Sequence, residues 1–209
     1  MYADDTYTAT RRALHAAAEL LLAGPQHAVC GRITLRPVPG GFGTTHTPDL
    51  RVEGTAVVAG DRRAELGGRS ARSVADELGI TTGDLSAVYA DGAGIGPDDI
   101  LAVDAPSADR IAQAFALGDA ALRAVAPGHV PVLWPEHFDL AVALDDERVN
   151  LGVSPGDSTL PEPYMYVGPW DPPPTEEFWN QPFGVAHALA DDVAGVVDFL
   201  AEARARIRG

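Results

Sequence analysis

The sequence predicts an α+β fold, an antiparallel sheet packed by about three long helices. Three observations lead there. Apolar residues recur at helical spacing in three separated stretches, extended stretches fall in groups between them, and short turn signals link the members of each group. Segregated helices and strands of this kind favour antiparallel pairing over an alternating parallel sheet. The chain has 209 residues, 46% of them hydrophobic, enough for a core in one domain, 1–209, or in two intimately packed halves, 1–106 and 107–209.

The elements follow in order. Residues 6–23 have a helical period, with Leu14, Ala17, Ala18, Leu21 and Leu22 on one face. Thr6 or Thr8 caps the start, and Gly24-Pro25 is a stop signal. His15 lies beside the apolar stripe and reads as a surface or boundary residue, not a ligand. Residues 28–38 read as a strand, which makes Cys30 a buried, inert thiol. A Gly/Pro-rich loop, PVPGGFGTTHTP, leads to LRVEGTAVVAGDRRAELGG, read as a hairpin turning at AGDR. SARSVADELG gives a short helix capped by Ser70 or Ser73.

Residues 79–106 are irregular. Gly92, Gly94 and Gly96 lack the dinucleotide-binding spacing and its strand-to-helix setting, so this stretch reads as a plain loop. Ser107 caps a helix over 107–126, whose apolar face carries Ile111, Phe115, Leu122 and Val125. Strand candidates follow at 133–144, 149–154 and 164–168, then a Pro-rich connector over 168–184. A closing helix spans 190–207, with Val193, Val196, Val197, Leu200 and Ile207 in its stripe and Asp191 and Asp192 at its positive end.

Composition removes several function classes. Fifteen basic and 30 acidic residues leave a formal charge of −15, which repels nucleic-acid phosphates and anionic membranes and reports solubility or, as the alternative, a basic partner. Every basic residue is Arg, so neither a Schiff-base lysine nor a P-loop lysine exists. The Ala, Gly and Arg bias points to an actinobacterial source. A single cysteine rules out an internal disulfide and a cysteine-rich zinc site. With no signal-peptide pattern and no membrane-length apolar run, the expected location is the cytoplasm.

The candidate site centres on LWPEHFDLAVAL, residues 133–144. Alternation puts Phe138, Leu140, Val142 and Leu144 on one face and His137, Asp139, Ala141 and Ala143 on the other. The next strand alternates Val149, Leu151 and Val153 against Asn150, Gly152 and Ser154. Closing this hairpin through DDER sets Leu144 opposite Val149 and Ala141 opposite Gly152, with Asp139 facing Ser154. One face is then bulky and apolar, and the other is a floor of small and polar residues.

Aromatic residues downstream supply walls for that floor: Tyr164, Tyr166 and Trp170 in EPYMYVGPW, and Phe178, Trp179 and Phe183 in EEFWNQPF. The expected function is binding of a small molecule by Trp134, Glu136, His137, Asp139, Asn150, Ser154, Tyr164, Tyr166, Trp170 and Trp179. Two alternatives stand beside it. One is a metal-assisted or acid–base enzyme using His137 with Asp139 or Asp157. The other is a non-catalytic interaction or oligomerisation module. A Ser154–His137–Asp139 triad is disfavoured, because the order along the strands puts the carboxylate nearer the serine than the imidazole, and no nucleophile-elbow motif is present. No metal-ligand spacing appears, no catalytic residue is assigned, and nothing names a cofactor.

LWPEHFDLAVAL, VNLGVSPGD, EPYMYVGPW and FWNQPFG together resemble an uncharacterised family of actinobacterial proteins over 133–207. The front half, with RSVADELGI after a hairpin and a later FDLAV strand, loosely resembles the DUF5996 family. The resemblance implies that both halves form one folding unit. It implies no activity and transfers no catalytic residue.

Overall fold

A computed structural model describes residues 5–172 and 176–208. The fold is α+β with antiparallel strand pairing, as predicted. The chain divides into two compact units: Met1–Gln113 with Leu133–Phe138, and Ala114–Val132 with Asp139–Gly209. The division therefore runs through a helix, not through the irregular stretch before residue 107.

In unit 1, α1 (Asp5–Ala17) runs through a π-helical turn (Ala18–Ala23) into α2 (Gly24–Cys30). Gly24-Pro25 is thus no stop. In the wider π frame the Gly24 amide donates to the Glu19 carbonyl, five residues back. The next amide in that frame is missing, because residue 25 is proline. The Leu20 carbonyl takes the Gly83 amide instead, at 2.8 Å. The helix ends at Gly31, whose φ of 70° is the left-handed value of a helix C-terminus. Residues 28–30 are therefore helical, the strand begins only at Leu35, and Cys30 is exposed with its thiol on the Gln26 carbonyl. Gln26 is fully buried and satisfied: its amide donates to the Arg32 and Thr34 carbonyls and accepts from the Thr45 and His46 amides.

A meander follows: β1 (Leu35–Val38), β2 (Gly41–Thr44), β3 (Leu50–Glu53), β4 (Ala56–Ala59) and β5 (Arg62–Glu65). The segment read as one hairpin holds three strands, because Gly54 turns the chain with φ 59° before the expected turn at Gly60. The short β6 (Arg69–Ser70) leads into α3 (Ala71–Leu78), whose start is capped by the Ser70 hydroxyl accepting from the Ser73 amide. β7 (Ile100–Leu101) pairs with β6, and the loop between α3 and β7 is irregular. Helix α4 (Ala105–Val125) is capped by the Asp104 carboxylate, which accepts from the Ser107 amide; Ser107 lies inside the first turn. On the far side of β1, Leu35 pairs with Leu133 of β8 (Val132–Trp134).

Unit 2 is a second meander: β9 (Asp139–Leu144), β10 (Val149–Ser154), β11 (Tyr164–Pro169) and β12 (Val185–Ala188). The β9–β10 register is the expected one, with Leu144 opposite Val149 and Ala141 opposite Gly152. β12 has no counterpart among the sequence expectations. The apolar face of this sheet is covered by α4 from residue 114 onward. A Cβ on Gly118 would come within 2.9 Å of the Val153 Cβ, so the missing side chain lets the helix lie close on the strands. Helix α5 (Val193–Arg208) begins at Asp192, whose carboxylate accepts from the Gly195 amide, and packs on β11. Arg204 of α5 pairs with the Glu147 carboxylate and donates to the Val125 carbonyl, satisfying an otherwise orphaned group at the end of α4.

The Gly24–Gly83 crossing yields a prediction. A Cβ at residue 24 would sit 2.5 Å from the Gly83 Cα, against backbone that has nowhere to go. Gly24→Ala is expected to lower the free energy of urea unfolding by about 1–3 kcal/mol, the usual cost of overpacking. Gly128→Ala, where nothing lies within 4 Å, should leave it within about 0.5 kcal/mol.

Candidate functional site

In an antiparallel ladder, paired residues project to the same side. The strand register therefore assembles one face of unit 2 from Ala141 and Ala143, Asn150, Gly152 and Ser154, Tyr164 and Tyr166, and Ala186 and Ala188. This is the floor expected from the sequence. What occupies it is the neighbouring strand's own side chain. Tyr166 is paired with Gly152, and its ring lies so close over that glycine that a Cβ there would meet ring atoms at 2.4 Å. The Tyr166 hydroxyl donates to the carboxylate of Asp139, itself 7% exposed. Burial and that carboxylate both push the phenol well above its ordinary pKa, so it stays protonated.

Two more aromatic residues are fixed in the same manner. The Tyr164 hydroxyl donates to Asp157 at 2.8 Å; burial, then Asp157, raises its pKa as well. Asp157 also accepts from the Thr159 and Leu160 amides, which is the turn role its SPGD setting suggests. The Trp170 indole N–H donates to the Asn150 side-chain oxygen at 3.1 Å, with the Arg148 guanidinium over its ring and Asp171 paired to that guanidinium. Ser154 accepts from the Gly156 amide. Phe183 meets the Tyr166 ring edge-on at 6.1 Å.

Unit 2 thus brings together Asp139, Asn150, Ser154, Tyr164, Tyr166 and Trp170. It does not bring Trp179 to them. Trp179 is buried against Phe178, which in turn touches His187 and lies under the Arg206 guanidinium of α5. Phe183, and not Trp179, stands beside the tyrosines. Trp134, Glu136 and His137 belong to unit 1. There the His137 imidazole is 63% exposed and 3.4 Å from Glu136, and Trp134 lies at the surface.

The turn that carries them has a different partner, which the sequence reading missed. Phe138 is held at φ 51°, a costly value for a bulky residue. Its ring is buried, stacked on His15 at 5.2 Å and edge-on to Phe42. His15 donates from Nε2 to the Pro135 carbonyl at 2.6 Å, and its side chain is 14% exposed, the boundary position expected from the sequence. Burial lowers its pKa to about 4. One turn on, in the π-helical segment, the Glu19 carboxylate accepts from the Tyr89 hydroxyl and the Ala93 amide, each at 2.9 Å, and stands 3.9 Å from His15. Burial raises the pKa of Glu19. The one signal in the sequence is the i, i+4 spacing of His15 and Glu19; their partners at 89, 93 and 135 lie far along the chain.

Unit 1 also has an open groove of about 750 Å³ lined by Ala9, Thr10, Gly68, Ile100, Leu101 and Asp104, among others. None of the expected site residues lies in it. Among the described residues, no cluster of three or more His, Cys, Asp or Glu is placed to hold a metal, and no helix is long and apolar enough to cross a membrane. Comparison with protein-family models, curated proteins and solved structures finds no match to this chain.

His15 makes stability depend on pH. Its ordinary pKa is 6.5 and its folded value about 4, so between those pH values the unfolded chain binds the extra proton. Stability is therefore lost as pH falls through that window, by about 3 kcal/mol from this group. Urea unfolding of wild type and His15→Gln should show the gap between them shrinking by about that amount from pH 7 to pH 4. A gap that stays constant would mean that His15 titrates alike in the folded and unfolded states.

Proposed function

We propose that this chain binds a small molecule non-covalently on the aromatic face of unit 2. The observation that carries the reading is the set of three aromatic side chains fixed by their polar ends on one sheet face: Tyr166 to Asp139, Tyr164 to Asp157, Trp170 to Asn150. Rings held in this way lose little freedom when something stacks on them, which is how pre-organisation favours binding. Trp170 is 44% and Phe183 43% exposed, so part of each ring is accessible to a visitor, with the Arg148 guanidinium over Trp170. The nearby polar groups are mainly acceptors, which favours a ligand with a flat ring and hydrogen-bond donors, such as a sugar, a nucleoside or an aromatic amine. The surface is a platform with Tyr166 lying in the floor, in place of the hollow that the small residues suggest.

The acid–base alternative built on His137 with Asp139 or Asp157 draws less support. His137 stands in solvent, Asp139 is engaged by Tyr166, and Asp157 braces its own turn.

Native mass spectrometry of the purified protein is the first test, followed by tryptophan fluorescence titration with a panel of monosaccharides, nucleosides and aromatic amines. A co-purified adduct, or a saturable fluorescence change that falls at least tenfold in affinity in Trp170→Ala, is the expected result. No adduct and no response at millimolar concentration would remove the reading and leave Trp170 and Phe183 to a protein partner.

A further inference from the structure

The loop between α3 and β7 passes over Glu19, and its attachments are unevenly spread. One end is fixed where the Gly83 amide meets the Leu20 carbonyl and Gly83 crosses Gly24 backbone to backbone. The other end is fixed by the Arg72 amide on the Pro97 carbonyl and by the Arg72–Asp98 ion pair. Between them the contacts to α1 and the π-helical turn converge on one side chain. Glu19 takes the Tyr89 hydroxyl on one carboxylate oxygen and the Ala93 amide on the other. Arg12 adds a long contact, 3.5 Å, to the Ala93 carbonyl. Gly92 lies directly over the carboxylate, where a Cβ would come within 2.5 Å of it. Leu85 and Ala93 are the buried apolar residues of the stretch.

From this we infer that residues 84–96 form a lid, anchored at Gly83 and Pro97 and latched in the middle by Glu19, whose release uncovers that carboxylate. The latch is a single carboxylate holding a loop by one hydroxyl and one amide, while the two anchors rest on backbone hydrogen bonds and a bidentate Arg–Asp pair that opening leaves intact. The π-helical turn is what allows this. It carries Glu19 to the loop and frees the Leu20 carbonyl that forms the anchor.

Tyr89→Phe and Glu19→Gln test the latch without touching the anchors. Hydrogen exchange followed by mass spectrometry should show the 84–95 peptide exchanging about tenfold faster or more in either variant, the effect of losing a hydrogen bond to a charged group. Exchange over 84–95 no faster than in wild type, in both variants, would overturn the lid. So would acceleration shared equally by every peptide, which marks global destabilisation. Tyr89→Phe, which removes only a hydroxyl, keeps the test decisive if Glu19→Gln folds poorly.

Discussion

The register of β9, β10 and β11 is the constraint on which unit 2 depends. With Ala141, Gly152 and Tyr166 in one cross-strand row, the bulky residues Leu140, Val142, Leu151, Val153, Met165 and Val167 all project to the other side. A slip of one residue would turn Asp139 and both tyrosines toward α4, at the point where Gly118 leaves no room even for a methyl group. The penalty for burying those polar groups unpaired is several times the cost of one lost ladder bond. Gly152 and Gly118 therefore work on opposite faces of one strand pair. The first admits a ring and the second admits a helix.

Unit 1 is governed by an absence. Pro25 has no amide hydrogen, and an α-helix that met it in ordinary frame would end or kink. The chain widens into a π turn instead, places the unpaired carbonyl of Leu20 toward a loop amide, and keeps Gly24 bare so that the loop can reach it. The same widening carries Glu19. A residue type that usually stops a helix thus fixes where a distant loop is attached, and the acidic latch is a consequence of that solution.

What the sequence could tell follows from how local each cause is. The β9–β10 register was legible because side-chain size alternates cleanly through 139–154 and DDER is a turn of the right length. The floor of small residues was legible for the same reason. Its occupant was not, because Tyr166 reaches Gly152 only through the β10–β11 pairing, which periodicity within one strand does not specify. The passage of the helix through Gly24-Pro25 was hidden by a stop signal that is locally sound and is overruled by a tertiary hydrogen bond. That error displaced the first strand and buried Cys30 on paper. The partners of His15 and Glu19 were hidden too, since Pro135, Phe138, Tyr89 and Ala93 are tens of residues away. Gly54 gave a turn signal comparable to Gly60, but the alternation across it tolerates one long strand or two short ones.

The electrostatics of the two constellations differ in a way that bears on what each can do. On the unit 2 face the phenols of Tyr164 and Tyr166 stay neutral, because burial and a facing carboxylate both oppose their ionisation. The carboxylates they serve have their negative charge dispersed by hydrogen bonds, and Arg148 beside Trp170 is matched by Asp171. Such a surface has its protons in fixed places, which suits recognition better than proton transfer. In unit 1 the shifts of Glu19 and His15 run in opposite directions, one up and one down, and both come chiefly from burial. Burial that depends on a loop is reversible. Exposure of Glu19 returns it toward its ordinary pKa, and the protonation state of that carboxylate then follows the position of the loop.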